Sequence, residues 1–278
     1  MLKIKSLFIE ISGLFLKHPL FQKMMLMKSA DHDPNNYSEF KKSEKQFRHF
    51  LKKQTDFTGM IDLNKYDSSM EDICTKSTLV DSATNKSFEV FKFNFPEGLY
   101  VIKNFLTIPE QLALSKKCIN DYYKKPNRTN LYIYDPEFNQ NKDEPLQTYD
   151  KKLFVVDDPK KYYFNTKIRW SNIGFQYDWN DRLYPAGQTA IPDDLAAFPL
   201  RVLKLLDFGE YKPECVILNY YGQRNYMGGH LDDGEKDQVS PIISFSIGLS
   251  CIFLIGGKTR DIKPHPIKLD SGNVEREK

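Results

Sequence analysis

The chain has 278 residues, of which 40% are hydrophobic and 28% charged, with a formal net charge of +3. That length holds one sizeable domain with extensions or two modest ones, and the composition fits a soluble globular protein. It excludes a bilayer-spanning chain, since no run is long and apolar enough, and so small a net charge does not by itself mark a nucleic-acid binder.

At the N-terminus Lys3 and Lys5 precede the mostly apolar run Ser6 to Leu16, which Lys17 and His18 follow. This has the shape of a basic, amphipathic organelle-targeting segment. An ordinary N-terminal helix stopped by Pro19, or a start upstream of a true beginning near Met24, reads equally well. Glu10 argues against a secretory segment. Residues 31–38 read as a turn-rich linker, so residues 1–38 form an N-terminal extension. A helix is predicted next, with Phe40, Phe47, Phe50 and Leu51 on one face and Lys41, Lys42, Lys45, Arg48, Lys52 and Lys53 crowding the same segment. Those cations read either as a solvated face or as a phosphate-tracking patch. Residues 54–90 are polar and irregular, and 39–90 is read as a basic helix with an irregular extension.

Residues 91–278 carry the predicted domain. Phe91 to Phe95 alternates at period two, and Leu99 to Ile102 is a second strand candidate. Thr107 is placed to cap a helix from Pro109 to about Tyr123. Residues 124–165 are polar and loop-rich, the kind of long loop that often binds something. From Ile168 the chain turns aromatic, with Trp170, Phe175, Tyr177, Trp179 and Tyr184. Asp193 to Leu206 reads as a helix bent at Pro199. Strands are predicted over Cys215–Tyr221, Ile242–Ile247, Cys251–Ile255 and Ile267–Leu269, and Asp270-Ser271-Gly272-Asn273 is a turn. Short strands and glycine turns following helices predict an α+β fold, a sandwich or barrel covered by helices. The cysteines Cys74, Cys118, Cys215 and Cys251 show no CxxC or zinc spacing. Cys215 and Cys251 sit in apolar runs, where a free thiol serves as a small core hydrophobe, and a reducing compartment is expected.

The chemistry concentrates in two short stretches. In Cys215–Tyr221, Ile217, Asn219 and Tyr221 share one face of a strand, and Val216, Leu218 and Tyr220 share the other. A buried Asn219 amide must find partners or cost about 1–3 kcal/mol. With the Tyr221 phenol it makes a polar platform suited to a carboxylate-bearing ligand; its other reading is a turn cap or backbone partner. Downstream, Met227-Gly228-Gly229-His230-Leu231-Asp232 places an imidazole and a carboxylate two positions apart. In extended chain both project to one side, so a nitrogen and an oxygen converge on one cation. That is two-thirds of the 2-His-1-carboxylate triad of non-haem Fe(II) oxygenases. Gly228-Gly229 allows a close backbone approach. Taken alone, the same His-x-Asp pattern also describes an ordinary acidic surface loop.

Asn219-Tyr-Tyr221, Gly229-His-Leu-Asp232, Pro241-Ile-Ile-Ser-Phe-Ser-Ile-Gly248 and Ile252-Phe-Leu-Ile-Gly-Gly257 occur in this order and at close spacing. Together they resemble the AlkB family of Fe(II)/2-oxoglutarate dioxygenases, in particular its animal homologue-one branch. Gly98 to Leu106 followed by Pro109-Glu110 is similar to the family's opening strand and first helix. Lys167-Ile-Arg-Trp170 and Tyr177-Asp-Trp179 resemble the branch's aromatic segment. The likeness covers roughly residues 40–273. It implies a double-stranded β-helix (a jelly roll), Fe(II) held by His230 and Asp232, and 2-oxoglutarate contacted by Asn219 and Tyr221. Trp170, Tyr177, Trp179 and Tyr184 would lie near a nucleobase pocket; plain core packing is their alternative. The implied reaction uses molecular oxygen to oxidise a methyl group on a base nitrogen, with release of formaldehyde, succinate and carbon dioxide. Methylated adenine in tRNA or DNA and methylated cytosine in tRNA are the implied substrates. Nucleus, mitochondrion or cytoplasm are the expected compartments, and a monomer is expected.

The likeness stops after Ser271-Gly272-Asn273. The family carries a second histidine and an arginine for 2-oxoglutarate beyond this turn, whereas this chain continues Val-Glu-Arg-Glu-Lys278. His265, the only histidine after His230, and Arg276 do not match those two positions. The expectation is a C-terminally truncated jelly roll with exposed sheet edges. It is read as an oxidative nucleic-acid demethylase lacking the distal pair, with an inactive nucleic-acid-binding protein or an unstable fragment as alternatives.

Overall fold

The computed structural model describes residues 6–12, 38–48, 56–130, 168–176, 187–209, 211–221, 226–232 and 239–277. In chain order the elements are β1 (Ser6–Ser12), α1 (Glu39–Arg48), β2 (Cys74–Asp81), β3 (Lys86–Phe93), β4 (Tyr100–Ile102), α2 (Ile108–Asn120), β5 (Arg128–Thr129) and β6 (Trp170–Gly174). Then follow α3 (Asp193–Leu205), β7 (Cys215–Tyr221), β8 (Ile242–Gly248), β9 (Cys251–Ile255), β10 (His265–Leu269) and β11 (Val274–Glu277). Nine strands form one sheet in the order β2-β3-β4-β11-β8-β1-β7-β6-β5, and β9 and β10 form a second, antiparallel pair.

The two faces of the large sheet are set by strand alternation. Phe88 and Val90 of β3, Ile102 of β4, Val274 of β11, Ile243, Phe245 and Ile247 of β8, and Val216, Leu218 and Tyr220 of β7 turn to one face. There α2 and α3 cover them with Leu114, Cys118, Leu195, Val202 and Leu203. The residues between them turn the other way. On β3, on β4 and just before β4 these are Phe91, Phe93, Val101 and Leu99, which pack against Ile267 and Leu269 of β10 and Phe253 and Ile255 of β9. The small sheet therefore covers one end of the second face. Further along, the same face changes character: Glu275, Ser244, Ser246, Asn219 and Asn172 are all buried and polar.

Local chemistry explains the helices. Thr107 caps α2: its hydroxyl accepts from the Glu110 N–H while the Glu110 carboxylate accepts from the Thr107 N–H, with proline in the first turn. α3 begins without a side-chain cap, has Asp193 and Asp194 in its first turn and carries Pro199 inside.

Several expectations fail informatively. Residues 54–90, read as irregular, contain β2 and the start of β3, an antiparallel hairpin in full register from Cys74↔Phe93 to Asp81↔Lys86. β2 is an edge strand whose exposed Thr75, Lys76, Ser77 and Thr78 dilute its apolar signal. β3 runs across residue 90, where a segment boundary was read. The Ile168 region, read only as aromatic, forms β6 against β7. The N-terminal run, for which a helix was one reading, forms strand β1, whose Leu, Phe and Ile content suits a strand. It lies parallel to both β7 and β8. These two strands therefore each have a neighbour on both sides within the sheet. Val274–Glu277 is likewise a strand, paired with β4 on one side and β8 on the other. Phe50, Leu51, Lys52 and Lys53 lie outside the described residues, and α1 is described only to Arg48.

Candidate functional site

β7 sets the first half of the site. Its residues Cys215 to Tyr220 are buried and Tyr221 is half-buried. Alternation puts Asn219 on the polar face, 4% exposed, with Trp170 of β6 as its cross-strand partner. Tyr221 follows on the same face, and its phenol reaches the Met227 sulfur at 3.9 Å. Trp170 is half-buried, and its backbone is fixed where the Asn130 carboxamide oxygen accepts from the Arg169 and Trp170 N–H groups at 2.7 and 3.2 Å. Two residues on in β6, the Asn172 carboxamide nitrogen approaches the Cys215 sulfur at 3.5 Å.

The second half is the irregular segment Met227 to Asp232, exposed except at Gly229. Here the His230 Nε2 and Asp232 Oδ1 atoms stand 3.5 Å apart. Two ligands at right angles around one ion, each about 2.1 Å from it, are about 3 Å apart. A small side-chain adjustment therefore brings both to one cation. The other imidazole nitrogen, Nδ1, is 3.0 Å from the Gly228 carbonyl oxygen. A proton on Nδ1 donated to that carbonyl leaves the Nε2 lone pair toward Asp232, the arrangement a metal-binding histidine uses. The donor set thus fits a divalent metal of borderline softness, and these two residues would hold it. Among the described residues no group of three or more His, Cys, Asp and Glu side chains is placed to hold a metal.

The loop is clamped from outside by α1. The Gly229 N–H donates to Glu44 Oε1 at 2.8 Å, and a Cβ at Gly229 would lie 2.4 Å from the Phe40 ring. A Cβ at Gly228 would meet nothing within 4 Å. Of the two glycines, only Gly229 is demanded by a close approach. Phe40 was visible in the sequence as part of an apolar stripe. Glu44 was not singled out, because nothing in local spacing joins it to a residue 185 positions away. The basic face of α1 is also less bare than its composition: Lys41 pairs with Glu44 at 2.6 Å and Lys42 with Glu39 at 2.5 Å.

The other sequence candidates divide. Tyr177, Trp179 and Tyr184 lie outside the described residues. His265 stands beside Phe93 and Phe95, with ring centroids 6.3 and 6.0 Å away, and burial pushes its pKa down. Arg276 donates to the Gly98 carbonyl at 2.6 Å and lies 4.1 Å over the Phe208 ring. Phe208 packs against the helix-covered core, so Arg276 sits on the face opposite Asn219. Among the described residues, no helix is long and apolar enough to cross a membrane.

Residues 98–275 match the 2OG-Fe(II) oxygenase superfamily. The chain is 29% identical over 279 residues to the DNA N(6)-methyladenine demethylase ALKBH1A of Arabidopsis thaliana, covering 87% of this chain and 81% of that protein. It is 32% identical over 201 residues to the tRNA demethylase abh1 of Schizosaccharomyces pombe, covering 66% of this chain and 65% of that one. It is also 32% identical over 187 residues to the nucleic acid dioxygenase ALKBH1 of Homo sapiens, covering 64% of this chain. The chain spans 47% of the length of that human relative. It belongs to the 2OG-Fe(II) oxygenase superfamily, within the AlkB family and its homologue-one branch. The family is one of jelly-roll dioxygenases that use Fe(II), 2-oxoglutarate and oxygen.

Proposed function

We propose that this chain acts in the oxidative demethylation of N-methylated bases in nucleic acid, tRNA or DNA. The observation that carries the reading is the convergence of His230 Nε2 and Asp232 Oδ1 at 3.5 Å, in a loop whose Met227 sulfur the Tyr221 phenol reaches at 3.9 Å. Iron and 2-oxoglutarate, when bound, supply the oxidant. The chain's part is to bind and orient. His230 and Asp232 hold the metal, with Nδ1 tied to Gly228. Asn219 and Tyr221 offer an amide and a phenol to the cosubstrate, and Trp170 offers a ring face to a base. A base within a duplex cannot reach such a site, so it must be unpaired or flipped, and stacking on an aromatic face contributes about 1–3 kcal/mol per base. The relatives, a DNA demethylase, a tRNA demethylase and a nucleic acid dioxygenase, support the substrate class.

The test is formaldehyde release from oligonucleotides bearing N-methyladenine or N-methylcytosine, with Fe(II) and 2-oxoglutarate. Release above the level of His230→Ala and Asp232→Ala chains is expected. Equal release from all three would overturn the reading. A second reading is nucleic-acid binding without oxidation: among the described residues, neither His265, beside Phe93, nor Arg276, on the opposite sheet face, joins His230 and Asp232. Its signature would be salt-dependent binding of methylated RNA in the absence of metal, unchanged by His230→Ala.

A further inference from the structure

We infer that Glu44 is a positioning residue for the metal-ligand loop, so that α1 is a working part of the site. The inference rests on the reading of His230 and Asp232 as metal ligands. The Glu44 carboxylate is held from both sides: Oε1 accepts the Gly229 N–H at 2.8 Å, and Oε2 accepts Lys41 Nζ at 2.6 Å. Its side chain is only 11% exposed. The helix that carries it is fixed to the body. The Phe40 N–H donates to the Arg260 carbonyl at 2.9 Å, Gln46 Nε2 donates to the Thr58 carbonyl at 2.9 Å, and Phe47 and Ser43 are buried.

Gly229 immediately precedes His230. The contact between His230 Nδ1 and the Gly228 carbonyl is internal to the loop and moves with it. The Glu44 contact ties the loop to an element anchored elsewhere. The Phe40 ring fills the space where a Gly229 Cβ would stand and so limits how the backbone can pivot there. Together they fix where the chain enters His230, and hence whether Nε2 and Asp232 Oδ1 reach the same ion. Fixing a ligand through a neighbour commonly changes metal affinity about 10–100-fold.

The experiment measures Mn(II) affinity by electron paramagnetic resonance and, without metal, hydrogen exchange of the segment spanning residues 228–232. Glu44→Ala is expected to weaken Mn(II) binding about tenfold and to speed exchange. Glu44→Gln keeps an oxygen acceptor for the Gly229 N–H and is expected to stay near wild type in both. A folded Glu44→Ala chain with unchanged affinity and exchange overturns the inference. So does a Glu44→Gln chain as impaired as Glu44→Ala. Should Glu44→Ala fail to fold, Gly229→Ala against Gly229→Ala/Phe40→Ala decides. The single substitution should weaken Mn(II) binding and the double should regain it, and an unimpaired single variant overturns the inference. Absence of Mn(II) binding by wild type would sink the proposed function instead, and the exchange measurement would still decide the role of Glu44.

Discussion

β7 and the loop from Met227 to Asp232 are neighbours in sequence and opposites in environment. β7 lies inside the sheet, paired with β1 on one side and β6 on the other, and its Val216 and Leu218 are fully buried. The loop has no regular structure, and its His230 and Asp232 side chains are 50% and 37% exposed. The strand therefore holds Asn219 by backbone pairing and core packing, whereas the loop holds His230 through a few directed contacts, Glu44 to Gly229 and Nδ1 to Gly228. Substitutions on the strand should be read in stability, and substitutions on the loop in affinity.

The largest effect is expected on the strand. Leu218→Ala removes a fully buried side chain from the helix-covered core and should cost about 2–5 kcal/mol of unfolding free energy, read by urea denaturation. A cost under about 1 kcal/mol would mean that the strand is not the rigid partner in the comparison. Next comes the loop. His230→Ala should reduce Mn(II) affinity at least about 100-fold, while unfolding free energy stays within about 0.5 kcal/mol of wild type. A variant that loses stability along with the metal would place His230 in the core framework and erase the distinction.

The same division governs what the sequence revealed. β7, β9 and the Thr107 cap were legible because their signals are local: a run of β-branched and aromatic residues, a glycine stop, a threonine just before a first-turn proline. His230 and Asp232 were legible as a two-residue pattern, and Asn219 as the one amide in an apolar run. β1 was not, because an apolar stretch near the N-terminus looks the same whether it becomes a helix or fills a gap between β7 and β8; only distant partners decide. The β2 strand was hidden by its exposed polar residues. Glu44 was hidden by the lysines around it, whose abundance suggested a solvated face or phosphate contacts, when part of their charge is spent on neighbouring carboxylates. What depends on contacts across more than one element is what a single strand of text conceals.

A smaller effect sharpens the strand side. Tyr220 is 1% exposed; its hydroxyl lies 2.8 Å from the Cys118 carbonyl, to which it donates, and 3.3 Å from Ser171 Oγ. Burial holds its pKa well above the ordinary phenol value, so at neutral pH it is a protonated donor. Tyr220→Phe leaves the Cys118 carbonyl without this partner and should cost about 1–1.5 kcal/mol with Mn(II) affinity unchanged. A change in metal affinity would show that the helix-covered face communicates with the loop.

The smallest effect separates the two regions by pH. Glu110 is about a quarter exposed, its side chain at 28%. Burial alone would raise its pKa, but the hydrogen bonds from the Thr107 N–H and hydroxyl, together with Arg201, bring it below the ordinary 4.5. A carboxyl with a depressed folded-state pKa stabilises the fold fully above its unfolded value, and that contribution is lost as pH falls through the folded value. The window therefore opens near pH 4.5 and extends downward. Gln at this position can still complete the capping box, but it carries no charge for Arg201 or for the helix N-terminus. The stability difference between wild type and Glu110→Gln should be about 0.3–1 kcal/mol at pH 7 and should shrink as the pH falls below 4.5. Thermal unfolding of both chains across that range measures it. A difference that stays constant through the window would assign the effect to shape rather than charge, and the ionic contribution of this cap to the helix-covered side would have to be abandoned.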